Sequence, residues 1–359
     1  MIEHASSRSS THLPTHQSVL AARLRNQKLA KTDLDTPEDV VSWLGAVQAQ
    51  DYTGAAWGLA LRAKNVTDAD VDKAFAAGRI LRTHVMRPTW HFVLPADIRW
   101  MQALTGPRVQ SMNRVYCRTL GLDDRLITRA RNVIERALEG SHLTRGEISE
   151  ALSRARINLK GQPLAHVLAT VELDAVVCSG PRRGKQFTYA LVAERAPRAK
   201  ILPRDEALAE LTRRYFQSHG PATVRDFSWW SGLTMKDARD GIALARPDVL
   251  AEPPGPDSVR RANHLLPNYD EYLIAYRDRG AVVDSSRARN LGIFTSLEYP
   301  HHVIFDGRLA GSWRRTITSK GATLDVKLYG KAEKRHVQTL AAEAKRYGRF
   351  LQLDCRIQL

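Results

Sequence analysis

The fold is decided by residues 126–192, which read LITRARNVIERALEGSHLTRGEISEALSRARINLKGQPLAHVLATVELDAVVCSGPRRGKQFTYALV. Apolar residues recur at helical spacing through Leu126–Leu138, which predicts an amphipathic helix there. Thr144 and Glu147 then have the spacing of a capping box, in which each side chain accepts a hydrogen bond from the other residue's backbone N–H. Such a box begins a helix, so a second, short helix is predicted over Ile148–Ala155.

A third helix and a hairpin complete this segment. Pro163 suits the first turn of a helix, which is predicted over Leu164–Leu173. Two strand-forming runs, 175–180 and 186–192, follow on either side of a turn. That turn contains three cations: Arg182, Arg183 and Lys185. Three helices followed by a two-stranded wing is the order of a winged helix, whose third helix usually lies in the major groove while the wing contacts the backbone or minor groove. The cations favour DNA as the partner, although winged helices also serve as protein-interaction modules.

The same order recurs on both sides of this segment. Downstream, helices are predicted over 205–216, 222–230 and 235–245, with the pair Trp229-Trp230 packed in the core and a Pro-rich linker over 247–256. Upstream, a less regular copy has predicted helices over 20–30, 70–77 and from Val40 into Val47. Two strands follow in it, around Arg87-Pro88.

The C-terminal stretch differs from these modules. Asp306-Gly307 between apolar runs predicts a hairpin, followed by a strand over 323–329 and a helix over 334–350. The sequence thus predicts a mainly α fold with β wings (α+β), built of tandem winged-helix modules. The predicted boundaries are a flexible tail (1–17), winged helix 1 (18–118), winged helix 2 (119–198), and winged helix 3 with the C-terminal unit (199–359).

Composition narrows the function classes. The 359 residues include 54 Lys+Arg and 38 Asp+Glu, a formal charge of +16, which favours a polyanion as partner but also fits a merely solvated basic surface. Three widely spaced cysteines without a CxxC pair predict neither a zinc site nor a disulfide framework, and suit a reducing cytoplasm. No apolar run is long enough for a membrane span. The nucleotide-binding, metalloprotease and serine-hydrolase motifs are absent, so no metal and no cofactor are expected.

The sharpest local feature is Gln48-Ala49-Gln50, at the end of the helix that begins near Val40. Two glutamines at i and i+2 diverge on a regular helix but share one face on extended backbone. By itself this pattern is weak, because a polar helix end is the common explanation. Farther along, a strand over residues 89–92 would place Trp90 in the core and His91 on the opposite face, near the glutamines.

Four blocks together resemble the AlkZ/YcaQ-type DNA glycosylases. The first is LGAVQAQD at 44–51 with WGLALR at 57–62, and the second is LRTHVMRPTWHFV at 81–93. The third is PNYDEYLIAYRDR at 267–279, and the fourth is DGRLAGSWRR at 306–315. Members of this family carry a glutamine-hydrophobic-glutamine or glutamine-hydrophobic-aspartate motif in the first block. This chain has the double-glutamine form, as in members linked to self-resistance against DNA-crosslinking natural products.

The resemblance implies tandem winged helices around a basic concave cleft that binds double-stranded DNA containing alkylated purines. Gln48 and Gln50 would be catalytic, and the chain would act as a cytoplasmic, nucleoid-associated monomer. A hairpin in the cleft would also be needed, either the wing at 182–185 or the turn at 306–308. The family's asparagine-glycine turn is not evident at 296–300. We expect DNA contacts from Arg87, His91, Arg182, Arg183, Lys185, Arg308, Arg314 and Arg315.

The expected activity is hydrolysis of the N-glycosidic bond of purines alkylated at N7 or N3, which leaves an abasic site. Interstrand crosslinks are an open further substrate of the same reaction. Alkylation makes the base a cationic leaving group, so the reaction needs a positioned water and dipoles for an oxocarbenium-like sugar, and amide groups supply both. The alternative is a winged-helix regulator, or a lesion-binding protein, without enzymatic activity.

Overall fold

The computed structural model describes residues 16–245, 262–283, 300–331 and 333–359. Of the predicted tail, residues 1–15 lie outside these ranges, whereas His16 and Gln17 begin helix α1. The predicted linker at 247–256 and residues 296–299 of the segment without an asparagine-glycine turn also lie outside them.

The N-terminal part consists of four helices and a three-stranded sheet in the order β1-β3-β2. Thr36 and Thr67 each form a capping box, with Asp39 and Asp70, which fixes where the second and fourth helices begin. The elements are α1 (His16–Asn26), α2 (Pro37–Leu44), β1 (Val47–Gln48), α3 (Tyr52–Ala60), α4 (Asp68–Ala76), β2 (Leu81–Val85) and β3 (Arg87–Val93).

Two of the differences from the sequence prediction in this part concern where an element ends or turns. The helix that begins near Val40 does not continue into Val47, because it ends at Leu44 and Gly45 turns the chain with a φ of 82°. The hairpin turn lies at Met86, with a φ of 62°, one residue before the predicted Arg87-Pro88.

The middle part has the helices and hairpin that the sequence predicts for residues 126–192. Thr144 forms its capping box with Glu147, as predicted. A short strand that the sequence analysis missed, β4, joins the hairpin in a sheet of order β4-β6-β5. The elements are α5 (Ile98–Thr119), α6 (Asp124–Leu138), β4 (Leu143–Thr144), α7 (Arg145–Arg154), α8 (Gly161–Leu173), β5 (Val177–Arg183), β6 (Gln186–Leu191) and α9 (Val192–Arg195).

Among the described residues, the C-terminal part combines five helices with a five-stranded sheet of order β11-β10-β9-β8-β7. The predicted Asp306-Gly307 turn joins β8 to β9, with φ of 49° and 75°, the positive values that a tight hairpin turn requires. The elements are α10 (Arg204–His219), α11 (Val224–Ser231), α12 (Met235–Ala245), β7 (His264–Leu266), α13 (Glu271–Ile274), β8 (His301–Phe305), β9 (Arg308–Thr318), β10 (Gly321–Leu328), α14 (Lys334–Leu351) and β11 (Cys355–Gln358). The mixture of helix and strand confirms the predicted α+β class.

The hydrophobic cores do not follow the predicted boundaries. The largest core joins Trp57 of α3 to Trp313 of β9 and Tyr347 of α14, so the N-terminal part and the C-terminal sheet pack as one body. A second core joins β2 and α5 to α10 and α11, and it contains Trp230, as predicted for that residue. Trp229 instead is 39% exposed. A third core, among the described residues, is made wholly of residues of the middle part, including Cys117 at the end of α5.

All three cysteines are free thiols. Cys178 is fully buried, which raises its pKa to about 12, and burial also raises the pKa values of Cys117 and Cys355. Within the described ranges, no group of His, Cys, Asp and Glu side chains is arranged to hold a metal ion. None of the helices there is long and apolar enough to cross a membrane.

Candidate functional site

Gln48 ends the short strand β1, and Gln50 follows two residues later at a bend of the chain. Gln48 pairs with His91 across β1 and β3, and the Ala49 N–H donates to the Trp90 carbonyl at 2.7 Å. The Trp90 N–H in turn donates to Gln50 Oε1 at 3.4 Å, so the Gln50 side chain continues the ladder where the strand ends. Gln48 is only 7% exposed, whereas Gln50 is exposed to solvent.

Two charged residues fix the position of Gln48. Its backbone N–H donates to Glu271 Oε1 at 2.9 Å, and the other oxygen of that carboxylate accepts from Trp230 Nε1 at 2.9 Å. Its side-chain carbonyl accepts from Arg87 Nη2 at 2.8 Å. The Gln48 backbone is therefore held by Glu271, and the side-chain carbonyl is oriented and polarised by the Arg87 guanidinium, which is the preorganisation that electrostatic catalysis requires.

His91 is fully buried next to Gln48. Burial, assisted by the nearby Arg87 charge, holds its pKa well below the ordinary value, so the imidazole is neutral. Its Nδ1 lies 2.9 Å from the Thr89 carbonyl, which assigns the ring proton to Nδ1 and leaves a lone pair on Nε2. That Nε2 and the Thr89 hydroxyl are both buried and have no hydrogen-bond partner among the described residues. Two such atoms on the face that carries Gln48 suit a bound water molecule.

The structure places His91 beside Gln48, as the sequence predicted, but it does not support the predicted DNA contact. A side chain with no exposed surface offers no direct DNA contact, and His91 lies behind the glutamines instead. Arg87, also predicted to contact DNA, directs a nitrogen to Gln48.

One of the three wing cations packs against the N-terminal part, and the other two are exposed to solvent. Arg182 Nη1 contacts Asp72 of α4 at 3.1 Å, and its guanidinium lies 4.9 Å from the ring centroid of Tyr52, so it joins the wing to the N-terminal part. Arg183 pairs with Glu147 at 2.7 Å but remains more than half exposed, and Lys185 is exposed at the turn. Arg183 and Lys185 are the wing cations that remain accessible to a ligand.

The turn at 306–308 is held against the protein body. The Gly307 carbonyl accepts from the Tyr272 hydroxyl at 2.8 Å, and Asp306 pairs with Arg335 at 3.3 Å. Arg308 itself is exposed. This turn therefore does not project as a free hairpin.

The sequence analysis missed the hairpin that does project, β9–β10. Arg315 at its base pairs with Asp51 at 2.7 Å, and Asp51 directly follows Gln50 and caps α3. Beyond Arg315, residues 316–320 are all exposed, and Ile317 is 42% exposed. Arg314 on the neighbouring position is exposed as well. The turn residues Ser319-Lys320-Gly321 between two alternating runs were the signal that could have found this hairpin.

Helix α8, the third helix of the middle module, is not free to lie in a DNA groove. It packs against β2 and α5, and only Gly161 and Gln162 at its first turn are exposed. Its buried Glu172 accepts from His84 Nδ1 and, at 3.4 Å, from Trp90 Nε1. The docking mode expected of a winged helix is therefore wrong for this helix, because the N-terminal part already covers the surface in question.

The sequence analysis also missed two acidic residues, Asp270 and Glu271, that hold other side chains of the site in place. Asp270 forms a bidentate ion pair with Arg62 at 2.8 and 2.9 Å, and Glu271 holds Gln48. Both acids stand in an otherwise apolar block, Leu265–Tyr276, which is unusual for residues that solvent could reach. Acids in such a block predict internal partners.

Comparison with known proteins finds a curated relative and a solved structure of the same fold. A curated relative, an interstrand DNA cross-link repair glycosylase from Streptomyces sahachiroi, is 25% identical over 322 residues, which cover 83% of this chain and 87% of the relative. The solved structure of the Streptomyces sahachiroi DNA glycosylase AlkZ superposes with a TM-score of 0.77 at 22% identity, over 97% of this chain and all of that one. That likeness shows the fold.

The family itself follows from a match along most of the chain. The model of the DNA glycosylase AlkZ-like family matches residues 41–350, a range that contains both glutamines, Glu271 and the β9–β10 hairpin. Because this match covers most of the chain, the chain belongs to the AlkZ-like family of DNA glycosylases.

Proposed function

We propose that this protein is a monofunctional DNA glycosylase that hydrolyses the N-glycosidic bond of purines alkylated at N7 or N3 in duplex DNA and leaves an abasic site. The observation that carries the proposal is the pair Gln48 and Gln50 at the end of β1, with Gln48 held by Arg87 and Glu271. No metal or cofactor is needed, since the alkylated base already carries the positive charge that makes it leave.

The two glutamines have different surroundings, which suggests different roles. Gln48 is buried beside the free lone pair of His91 Nε2 and the Thr89 hydroxyl, so this group positions the attacking water. Gln50 is exposed, so its amide dipole faces the deoxyribose and supports the positive charge that develops there. The electron pair of the C1′–N bond neutralises the departing base, the water oxygen bonds to C1′, and its proton leaves to solvent.

DNA binding relies on the exposed cations and the projecting hairpin. The net charge of +16 attracts the duplex, and Arg183, Lys185, Arg308 and Arg314 are exposed to contact phosphates. The β9–β10 hairpin enters the minor groove, because the Arg315–Asp51 ion pair places its base directly beside the motif. The order of elements in α6–β6 supports a winged-helix module, and we extend it to three modules in tandem around a basic cleft.

Interstrand crosslinks are included in the proposed substrate range. The curated relative is named for their repair. Gln50 acts from an exposed strand end, so a lesion joined to the opposite strand need not be drawn into a closed pocket. We place this activity on chromosomal DNA in the cytoplasm, in a monomer.

The direct test uses duplex oligonucleotides that carry a single N7-methylguanine, followed by alkaline cleavage at abasic sites. Gln48→Ala and Gln50→Ala should each lower the single-turnover excision rate by about 10²-fold or more, the scale of losing one preorganised dipole, while binding to undamaged duplex is kept. Gln338→Ala, an exposed glutamine on α14, serves as the matched control and should excise normally. Full excision by either motif variant would overturn the catalytic assignment. Selection of a palindromic site by a wild-type protein that releases no base would indicate a regulator instead.

A further inference from the structure

A cavity of about 190 Å³ lies between the β2–β3 hairpin and the middle part of the chain. Trp90 forms one wall, and Gln48 and His91 lie on the other side of β3, because side chains alternate along a strand. The cavity is therefore separate from the glutamine site. The two are nonetheless close, since the backbone N–H of the same Trp90 donates to Gln50 Oε1.

The walls of this cavity are flat or small. The Trp90 and His84 rings pack together with centroids 4.5 Å apart, and Tyr189 lines the cavity from β6. Ala165 and Ala169 of α8 face it across the gap, and their small side chains leave the space open. Aromatic walls a short distance from a small-residue helix fit a planar ring better than a bulky aliphatic group.

Two side chains that line the cavity, Tyr189 and His84, each have a hydrogen-bonding atom without a partner among the residues described. The Tyr189 hydroxyl has none, and burial raises its pKa so that it stays protonated and can donate. His84 directs Nδ1 to Glu172, which leaves Nε2 for a ligand. Glu172 also accepts from Trp90 Nε1, so a single buried carboxylate fixes both aromatic walls. Asn113 and Arg145 add polar groups to the lining.

We propose that this cavity binds a planar nitrogen heterocycle of the nucleobase class, stacked against Trp90 and hydrogen-bonded at its edge by Tyr189 and His84. Such a ring offers both a donor and an acceptor on one edge, which matches a hydroxyl next to an imidazole nitrogen. Apolar walls with a few convergent polar groups are the usual composition of a small-molecule site. This second site goes beyond the proposed glycosylase chemistry, and its ligand is either a free base or a base turned out of the duplex.

The first arm of the test measures binding of free bases by isothermal titration calorimetry. 7-Methylguanine, guanine, adenine and cytosine are titrated into the Gln48→Ala protein, in which excision chemistry is removed but the cavity is intact. We expect at least one base to bind with Kd of about 1 mM or tighter, as ligand size allows. Ala169→Phe, which fills the cavity, should abolish that binding. Tyr189→Phe should weaken it about 2- to 10-fold through loss of one hydrogen bond. Ala342→Phe, at an exposed position on α14, is the matched control.

The second arm uses duplex DNA with a single 2-aminopurine, whose fluorescence changes when it leaves the stack and meets Trp90. A response that Ala169→Phe removes and Ala342→Phe keeps would support the site with DNA as the source of the base. Circular dichroism checks that Ala169→Phe is folded, and Tyr189→Phe gives an independent reading if it is not. If neither free base nor 2-aminopurine gives a response sensitive to these cavity variants, the proposal is overturned. Because both arms run in the Gln48→Ala background, that failure is distinct from a failure of the glycosylase assignment.

Discussion

Glu271 is the residue on which the position of Gln48 depends. Its side chain is almost completely buried, and its two oxygens accept one hydrogen bond each from Gln48 N and Trp230 Nε1. His219 lies 3.6 Å away, but burial lowers its pKa, so it does not supply a full countercharge. The carboxylate is stabilised mainly by N–H donors. Because one of these donors is the Gln48 backbone N–H, the position of the carboxylate fixes the position of Gln48.

Replacement of this carboxylate by an amide gives the first prediction. In Glu271→Gln, one acceptor oxygen becomes an NH₂ group, so either Gln48 N or Trp230 Nε1 faces a donor instead of an acceptor. We expect a loss of about 1–3 kcal/mol in the free energy of unfolding, measured by chemical denaturation, and at least a tenfold slower excision rate.

Trp230→Phe separates the two effects, because it removes only the indole donor and leaves Gln48 N bonded to Glu271. It should lose stability but keep more of its excision activity than Glu271→Gln. Equal excision by Glu271→Gln and the wild-type protein would show that the motif does not need this support.

At the scale of elements, the β9–β10 hairpin is the feature most exposed to a ligand. The Arg315–Asp51 ion pair joins its base to the first turn of α3, while its tip beyond Thr316 makes few contacts with the rest of the protein. An apolar residue, Ile317, stands 42% exposed near that tip. Hairpins that enter a minor groove commonly place an apolar side chain there.

The exposure of Ile317 predicts that a charge at this position weakens DNA binding without unfolding the protein. Ile317→Asp should leave the free energy of unfolding within about 0.5 kcal/mol, as for other exposed substitutions, yet weaken duplex binding about tenfold through charge repulsion and loss of the apolar contact. Fluorescence anisotropy with a labelled duplex measures the affinity. Val337→Asp on α14, where the valine is 40% exposed, introduces the same charge elsewhere. Equal loss of affinity in both variants would mean that net charge, and not the hairpin, is responsible.

The elements also show what the sequence could and could not predict. The helices and hairpin of residues 126–192 were predictable, because their capping box and apolar periodicity are local. β1 was missed because Val47-Gln48 becomes a strand only through pairing with β3, more than forty residues away. The position of Gln48 beside His91 depended on that pairing, so the sequence alone did not establish it. The burial of α8 was equally invisible, since Glu172 meets His84 only in the tertiary structure.

At the scale of the molecule, several histidines are buried in neutral form. Burial lowers the pKa of His301 and of His302 to about 3, with Arg315 contributing for His301 and His301 for His302. His91 and His219 also have lowered pKa values, chiefly through burial. In the unfolded chain each histidine has a pKa near 6.5. The folded protein therefore binds fewer protons than the unfolded chain at mildly acidic pH.

This difference predicts acid instability that begins well above the carboxylate range. Stability from these histidines is complete above pH 6.5 and is lost as the pH falls from 6.5 towards the folded pKa values, about 3 for His301 and His302. Each fully neutral histidine contributes a slope of about 1.4 kcal/mol per pH unit in that window. The melting temperature at constant ionic strength should thus decline clearly between pH 7 and pH 5. A constant melting temperature over that interval would contradict the neutral state of these residues.

The three free thiols give the protein a chemical resistance of its own. A thiol attacks an electrophile as its thiolate, and at a pKa of about 12 the Cys178 sulfur is ionised in roughly one molecule in 10⁵ at pH 7. Cys117 and Cys355 have raised pKa values as well. An electrophile that reacts through the thiolate would therefore modify these three cysteines slowly, so the protein resists alkylation at its thiols.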